Sequence, residues 1–155
     1  MRSLDTKEEA YDWCTTEGSF LIEKEIERDR IISNITVAEE CFEQGNDGVK
    51  KKLWNSTYIL HYTALHLLVE SFLLLENMKS RNHLCLFAYL CVKHPELELD
   101  WGFFEKARTK RNGIHYYGTP IGEREWKEVC LQFQLYIKLL QKKLKERLKV
   151  GEKEG

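Results

Sequence analysis

Apolar side chains recur at three- and four-residue steps through almost the whole chain, and no stretch shows the alternation that a half-buried strand requires. The pattern predicts an all-α protein. A short first helix over residues 6–16 places Ala10, Trp13 and Cys14 on one face, and Glu17-Gly18-Ser19 ends it. A second, over residues 20–44, spaces Ile31, Ile35, Ala38 and Phe42 by four, three and four, and Gly45-Asn46-Asp47-Gly48 reads as the turn after it. The third, over residues 49–78, is the longest apolar segment and the expected central helix, with Leu60, Ala64, Leu67, Leu74, Leu75 and Met78 along one side. His94-Pro95 and an acidic link separate a helix over residues 83–92 from one over residues 101–114, whose end Gly113 and Gly118-Thr119-Pro120 mark. The last, over residues 122–148, repeats Trp126, Val129, Cys130, Phe133, Ile137, Leu140 and Leu144. The expected architecture is an up-and-down bundle of four to five helices with a short extra N-terminal helix. It forms one domain over residues 1–150, with a disordered tail over 151–155.

Composition fits this picture. The chain has 155 residues, 43% of them apolar and only 2 of them proline, and a chain this long needs neither disulfides nor a metal to fold. Five cysteines, odd in number and without a CxxC pair, read as thiols of a reducing compartment, which predicts a cytoplasmic protein. The N-terminus lacks the apolar core of a signal peptide. The most apolar run, residues 59–75, is interrupted by His61, His66 and Glu70, so no membrane span or membrane partner is expected. Residues 1–47 carry 13 acidic and 5 basic side chains, a net −8, whereas residues 48–155 carry 12 acidic and 19 basic, a net +7. The halves can neutralise each other within the bundle, or the second half can face a polyanion.

The candidate chemistry lies between Lys106 and Gly118. At about 100° per residue, Phe103, Ala107 and Ile114 form a core stripe. Arg108, Arg111, Asn112 and His115 share a sector of about 100° beside it. Arginine presents a permanent fork of donors to phosphate oxygens, and histidine exchanges a proton near neutral pH. His115 could deprotonate a ribose 2′-hydroxyl for attack on the adjacent phosphate while Arg108 or Arg111 stabilises the transition-state charge. That chemistry needs no metal and no cofactor. The structural alternative is that the arginines pair with acids such as Glu70, which could instead support the Arg/His group. His61, His66 and Glu70 read as an inward, hydrogen-bonded polar cluster on the central helix. A zinc site from His83, Cys85, Cys91 and His94 is disfavoured because Cys85 and Cys91 point about 120° apart on a helix. The lysines and arginine from Lys138 to Lys149 read as the solvated face of the last helix. No P-loop, GxGxxG, HExxH or GxSxG is present.

The run Arg111-Asn112-Gly113-Ile114-His115-Tyr116-Tyr117 follows a long helix bearing Tyr58, His61, Tyr62, His66 and Glu70 and a helix start at Lys79-Ser80-Arg81-Asn82-His83. Together these resemble the HEPN superfamily of helical domains over about residues 20–145. The resemblance implies a homodimeric bundle whose arginine and histidine form the active motif of a metal-independent endoribonuclease leaving a 2′,3′-cyclic phosphate. Arg108 has the family's spacing, with six residues before His115, whereas Arg111 is the arginine followed by asparagine, with three. Which arginine acts stays open. In toxin members, a tyrosine two residues after the histidine is modified by a nucleotidyltransferase antitoxin; Tyr117 stands there, although Lys110 occupies a position where that motif has arginine. The resemblance thus implies RNA or a nucleotide as ligand and the toxin half of a toxin–antitoxin pair as role. Its alternative is a non-catalytic nucleotide- or protein-binding bundle that partners a nucleotidyltransferase.

Overall fold

The computed structural model describes residues 4–154. Six helices, α1 (Lys7–Thr16), α2 (Arg28–Lys50), α3 (Trp54–Leu75), α4 (His83–Lys93), α5 (Trp101–Tyr116) and α6 (Glu123–Glu154), build an all-α bundle, with one short 3-10 turn at Pro95–Leu97. Helix starts follow their side chains. Thr6 accepts from the Glu9 N–H at α1, Asn82 from Leu84 N–H at α4 and Asp100 from Gly102 N–H at α5. Each satisfies a donor that the first helical turn leaves orphaned.

Helix α3 is the core element, as its composition predicts. It is long and apolar enough to cross a membrane, but 61% of its most apolar window is buried inside the bundle. Tyr58, Tyr62, Leu65, Leu68 and Leu73 of α3 are fully enclosed with Phe87 and Leu90 of α4, Phe104 of α5, and Phe133 and Ile137 of α6. Phe87 stacks on Phe104 at 4.7 Å between ring centroids, and Phe103 meets Phe133 edge-on at 5.1 Å, which fixes α5 against both neighbours.

Several expectations need correction. Helix α2 starts at Arg28 rather than residue 20, because Leu21–Ile22 (β1) pairs antiparallel with Met78–Lys79 (β2). Asn77, at φ 60°, reverses the chain after α3, and Glu23 N–H donates to its carbonyl at 2.7 Å. Lys79 then binds Glu27 at 2.8 Å and Glu23 at 3.4 Å. Two-residue strands are too short to register as alternation.

The Gly45-Asn46-Asp47-Gly48 run is helical. Gly45 and Gly48 are buried on the α2 face that meets α3, and the chain turns later, at Lys52 with φ 58°. The glycines permit close approach rather than a left-handed backbone: a Cβ at Gly45 would lie 2.6 Å from the His61 ring. Helix α3 therefore begins at Trp54 and not at residue 49. Gly113 likewise lies inside α5, and the positive φ of 62° belongs to Gly118. Helix α6 runs to Glu154, and Gly155 lies outside the described residues.

The five cysteines are not all thiols. Cys14 of α1 and Cys85 of α4 form a disulfide, with Cα atoms 5.8 Å apart across 71 residues of sequence, while Cys41, Cys91 and Cys130 are free. The pairing depends on the packing of α1 on α4, which neither the odd count nor the spacing reveals. Burial pushes the remaining Cys91 thiol up to about 12.

Candidate functional site

Helix α5 presents its apolar stripe, Phe103, Phe104 and Ala107, to the core, and the polar sector emerges at the edge of that stripe. Arg108 and Asn112 are 6% and 9% exposed, Arg111 is half-buried and His115 is open to solvent. The shared sector is therefore present, but its members have different surroundings.

Arg108 is clamped by an acid of its own helix. Its Nε and Nη2 donate to the two carboxylate oxygens of Glu105, each at 3.0 Å. A forked pair of this kind, with side chains only 8% and 15% exposed, neutralises the guanidinium and fixes its plane. Glu70 takes no part in it. Its carboxylate accepts from Arg30 at 2.8 Å and Asn34 at 3.1 Å on α2, and the acid forked on Arg108 is Glu105.

Arg111 differs. Nη1 donates to Asn112 Oδ1 at 3.2 Å, and the guanidinium lies 5.3 Å from the Tyr62 ring and 5.4 Å from the Tyr116 ring. Its Nε is buried without a partner. No carboxylate lies within ion-pair distance of Arg111 among the described residues. A half-buried cation held only by aromatic faces and one amide retains attraction for an anion.

Across from it stand two histidines. His66 of α3 and His83 of α4 stack at 3.9 Å, and Tyr62 Oη and His83 Nδ1 are hydrogen-bonded at 2.9 Å. Burial, and then the nearby Arg111 charge, push His66 well below the usual imidazole range. Burial lowers His83 as well, reinforced by His66, Arg111 and Arg108 and opposed by Glu70. Both rings are neutral at pH 7. Burial raises the Tyr62 phenol above its ordinary value, against the pull of Arg111 and Arg108, so it stays protonated.

Two cavities flank this face. One, of about 280 Å³, is lined by Arg81, Asn82, His83 and Leu84 at the start of α4 and by Arg108, Arg111, Asn112 and Tyr116 of α5. The other, of about 560 Å³, lies between α5 and the start of α6, with Arg108, Asn112, Tyr117, Pro120 and Ile121 among its walls. Arg108 and Asn112 border both. His115 lines neither; it lies near the C-terminal end of α5, edge-on to Tyr116 at 5.6 Å. Tyr117, 67% exposed, caps the helix.

The expected His61, His66 and Glu70 cluster separates into three. His61 is wholly buried, its Nδ1 2.8 Å from the Thr57 carbonyl and its Nε2 near Asn46 at 3.1 Å and Gln134 at 3.2 Å, a hydrogen-bonded core group. His66 belongs with His83, and Glu70 with α2. No cluster of three metal-ligating side chains occurs among the described residues. Cys85 is committed to the disulfide, and His94 is held by Glu76 and Glu96, each at 2.9 Å. Of the C-terminal basic residues, Lys145 pairs with Glu39 of α2, a bond between the acidic and basic halves.

Tyr62, His66, His83 and Arg81 were not among the site residues expected from sequence. A helical wheel would put Tyr62 and His66, four apart, on one face of α3. The approach of the α4 start to that face depends on tertiary packing. Compared with protein-family models, curated proteins and solved structures, the chain gives no significant match.

Proposed function

We propose that the polar face of α5 acts on an RNA phosphodiester, in the manner of a metal-independent HEPN-type endoribonuclease. The observation that carries this reading is Arg111, a half-buried guanidinium with an orphaned Nε and no acid partner among the described residues, beside a cavity. Arg111 rather than Arg108 is the phosphate-binding arginine in this reading, because Glu105 already occupies the Arg108 fork. Asn112, whose Oδ1 accepts from Arg111, orients the guanidinium.

The reaction then runs on this chain's own groups. His115 takes the proton of a ribose 2′-hydroxyl, and the 2′-oxygen attacks the adjacent phosphorus. Arg111 stabilises the added negative charge, and the bond to the 5′-oxygen breaks. That oxygen takes a proton from water and protonated His115 returns its proton to solvent, leaving a 2′,3′-cyclic phosphate and a 5′-hydroxyl. The exposure of His115 and Tyr116 suits a homodimer in which two α5 faces meet over one RNA strand. Tyr117 is accessible to a nucleotidyltransferase antitoxin.

A second reading has its own support. The Glu105 clamp on Arg108 and the position of His115 outside both cavities favour a non-catalytic bundle that binds a nucleotide or a nucleotidyltransferase partner. Incubation of the purified chain with mixed transfer and messenger RNA in EDTA separates the two. The nuclease reading expects cutting that His115→Ala and Arg111→Ala each reduce at least about a hundredfold. RNA left intact by folded wild-type protein that still binds nucleotide would favour the second.

A further inference from the structure

We infer that the start of α4 supplies the second wall of the phosphate site, with Arg81 and His83 facing Arg111 across the cavity and binding a phosphate group of an RNA strand. The inference rests on the reading of α5 above and adds residues that the motif on α5 does not contain.

Three independent features converge on this cavity. The first is charge. Arg81 is exposed on its rim, and neither Arg81 nor Arg111 has a carboxylate within ion-pair distance among the described residues. Two guanidinium groups without an acid partner on one cavity favour an anion there. The second is the buried, unpartnered Nε of Arg111, a donor that an anion could satisfy directly or through water.

The third is the tautomer that Tyr62 favours at His83. The Tyr62 hydroxyl has one hydrogen-bond partner among the described residues, His83 Nδ1, at 2.9 Å. A phenol that stays protonated donates to that nitrogen, which places the remaining ring proton of neutral His83 on Nε2. His83 is therefore a donor to the cavity without being charged. The His66 ring at 3.9 Å holds it in plane. Asn82 accepts from Leu84 N–H at 2.9 Å, so the α4 start is ordered, and the positive end of its 11-residue dipole adds to the same field.

His83 stays uncharged on this wall. The groups around His83 are His66, Tyr62 and Glu70 of α3 and Arg108 and Arg111 of α5, with Arg81 two residues before it in the chain. Burial first, and the His66 and arginine charges after it, hold its ring neutral, so His83 meets the anion as an uncharged donor.

The test is calorimetric titration of the full chain at one neutral pH with inorganic phosphate and with a short, uncleavable 2′-deoxy oligonucleotide. Both probes should bind wild type. His83→Gln should weaken binding about tenfold, and Arg81→Ala should weaken it about threefold to tenfold. Arg81 is exposed, so its variant reports even where His83→Gln disturbs folding. Oligonucleotide binding without phosphate binding would place recognition on the strand rather than on one phosphate, and would overturn the inference. So would wild-type affinity in both folded variants. Phosphate binding that needs Arg81 and His83 in a protein that cuts no RNA would sustain this site and remove the nuclease reading. RNA cutting that needs His115, with unchanged phosphate binding in Arg81→Ala and His83→Gln, would do the reverse.

Discussion

Replacing Gly45 by alanine separates the two explanations of the Gly45-Asn46-Asp47-Gly48 run. In an unobstructed helix interior the change would stabilise by about 1 kcal/mol through backbone propensity. Here the new methyl would lie 2.6 Å from both Cε1 and Nδ1 of His61, where a relaxed contact needs about 3.5–4.0 Å. The ring must therefore retreat by about 1 Å. It is poorly placed to do so, being bonded to Thr57 at 2.8 Å and Asn46 at 3.1 Å and packed on Trp126 at 4.5 Å. Overpacking of this kind costs about 1–3 kcal/mol, and a lost buried hydrogen bond adds about 1–3 kcal/mol. The expected net loss is about 2 kcal/mol, or a fall in Tm of about 4–8 °C for a chain this long. Thermal unfolding followed by far-ultraviolet circular dichroism measures it. The decisive step is the same substitution in a His61→Ala background, where the obstruction is gone and Gly45→Ala should become neutral or stabilising. An equal loss in both backgrounds, or a gain in the wild-type background, would refute close approach as the reason for this glycine.

The disulfide and the histidines give further tests. Cys14–Cys85 closes a loop spanning 71 residues of sequence, so reduction should lower stability by about 4 kcal/mol, read from the urea midpoint with and without reductant. The folded, unreduced protein should contain three titratable thiols once opened in denaturant, and five would contradict the pairing. His61, His66 and His83 all have lowered folded-state values, so the unfolded chain binds more protons below about pH 6.5 and stability falls as pH drops through that point. His94 works in the opposite direction. Burial lowers it, but hydrogen bonds to Glu76 and Glu96 outweigh that and raise it, so its contribution is complete below about pH 6.5 and is lost as pH rises through its folded value. With three groups against one, the denaturation midpoint should decline between pH 7 and 5, and His83→Gln should flatten the decline.

Helix order and the central place of α3 were legible in the chain because apolar period and burial coincide in residues such as Ala64, Leu74 and Phe133, although Leu60, Leu67, Leu75 and Met78 of the same stripe are only half-buried. Punctuation was legible only in part: Gly18 and Gly118 do follow helix ends, with φ 67° and 62°. Gly45, Gly48 and Gly113 look like helix ends, yet they lie within helices, and the turns fall instead on Lys52, Asn77 and Glu98 with positive φ. The same holds for the site. Periodicity alone placed Arg108, Arg111, Asn112 and His115 on one sector, and the structure keeps them there with unequal burial. It could not reveal that Glu105 neutralises Arg108, since an i,i+3 pair competes with every other acid in the fold. Nor could it bring His83 to His66, seventeen residues away, because their stacking depends on the angle between α3 and α4.

The central claim is that the α5 face directs a ribose 2′-hydroxyl onto its own phosphate. The most direct measurement uses an end-labelled RNA that the protein cuts in EDTA, compared with the same strand carrying a single 2′-deoxy substitution at the cut site. The account predicts loss of cutting at that position alone, and 2′,3′-cyclic phosphate ends on the unmodified strand. Cutting that persists at the 2′-deoxy position, or ends bearing a 5′-phosphate, would contradict it.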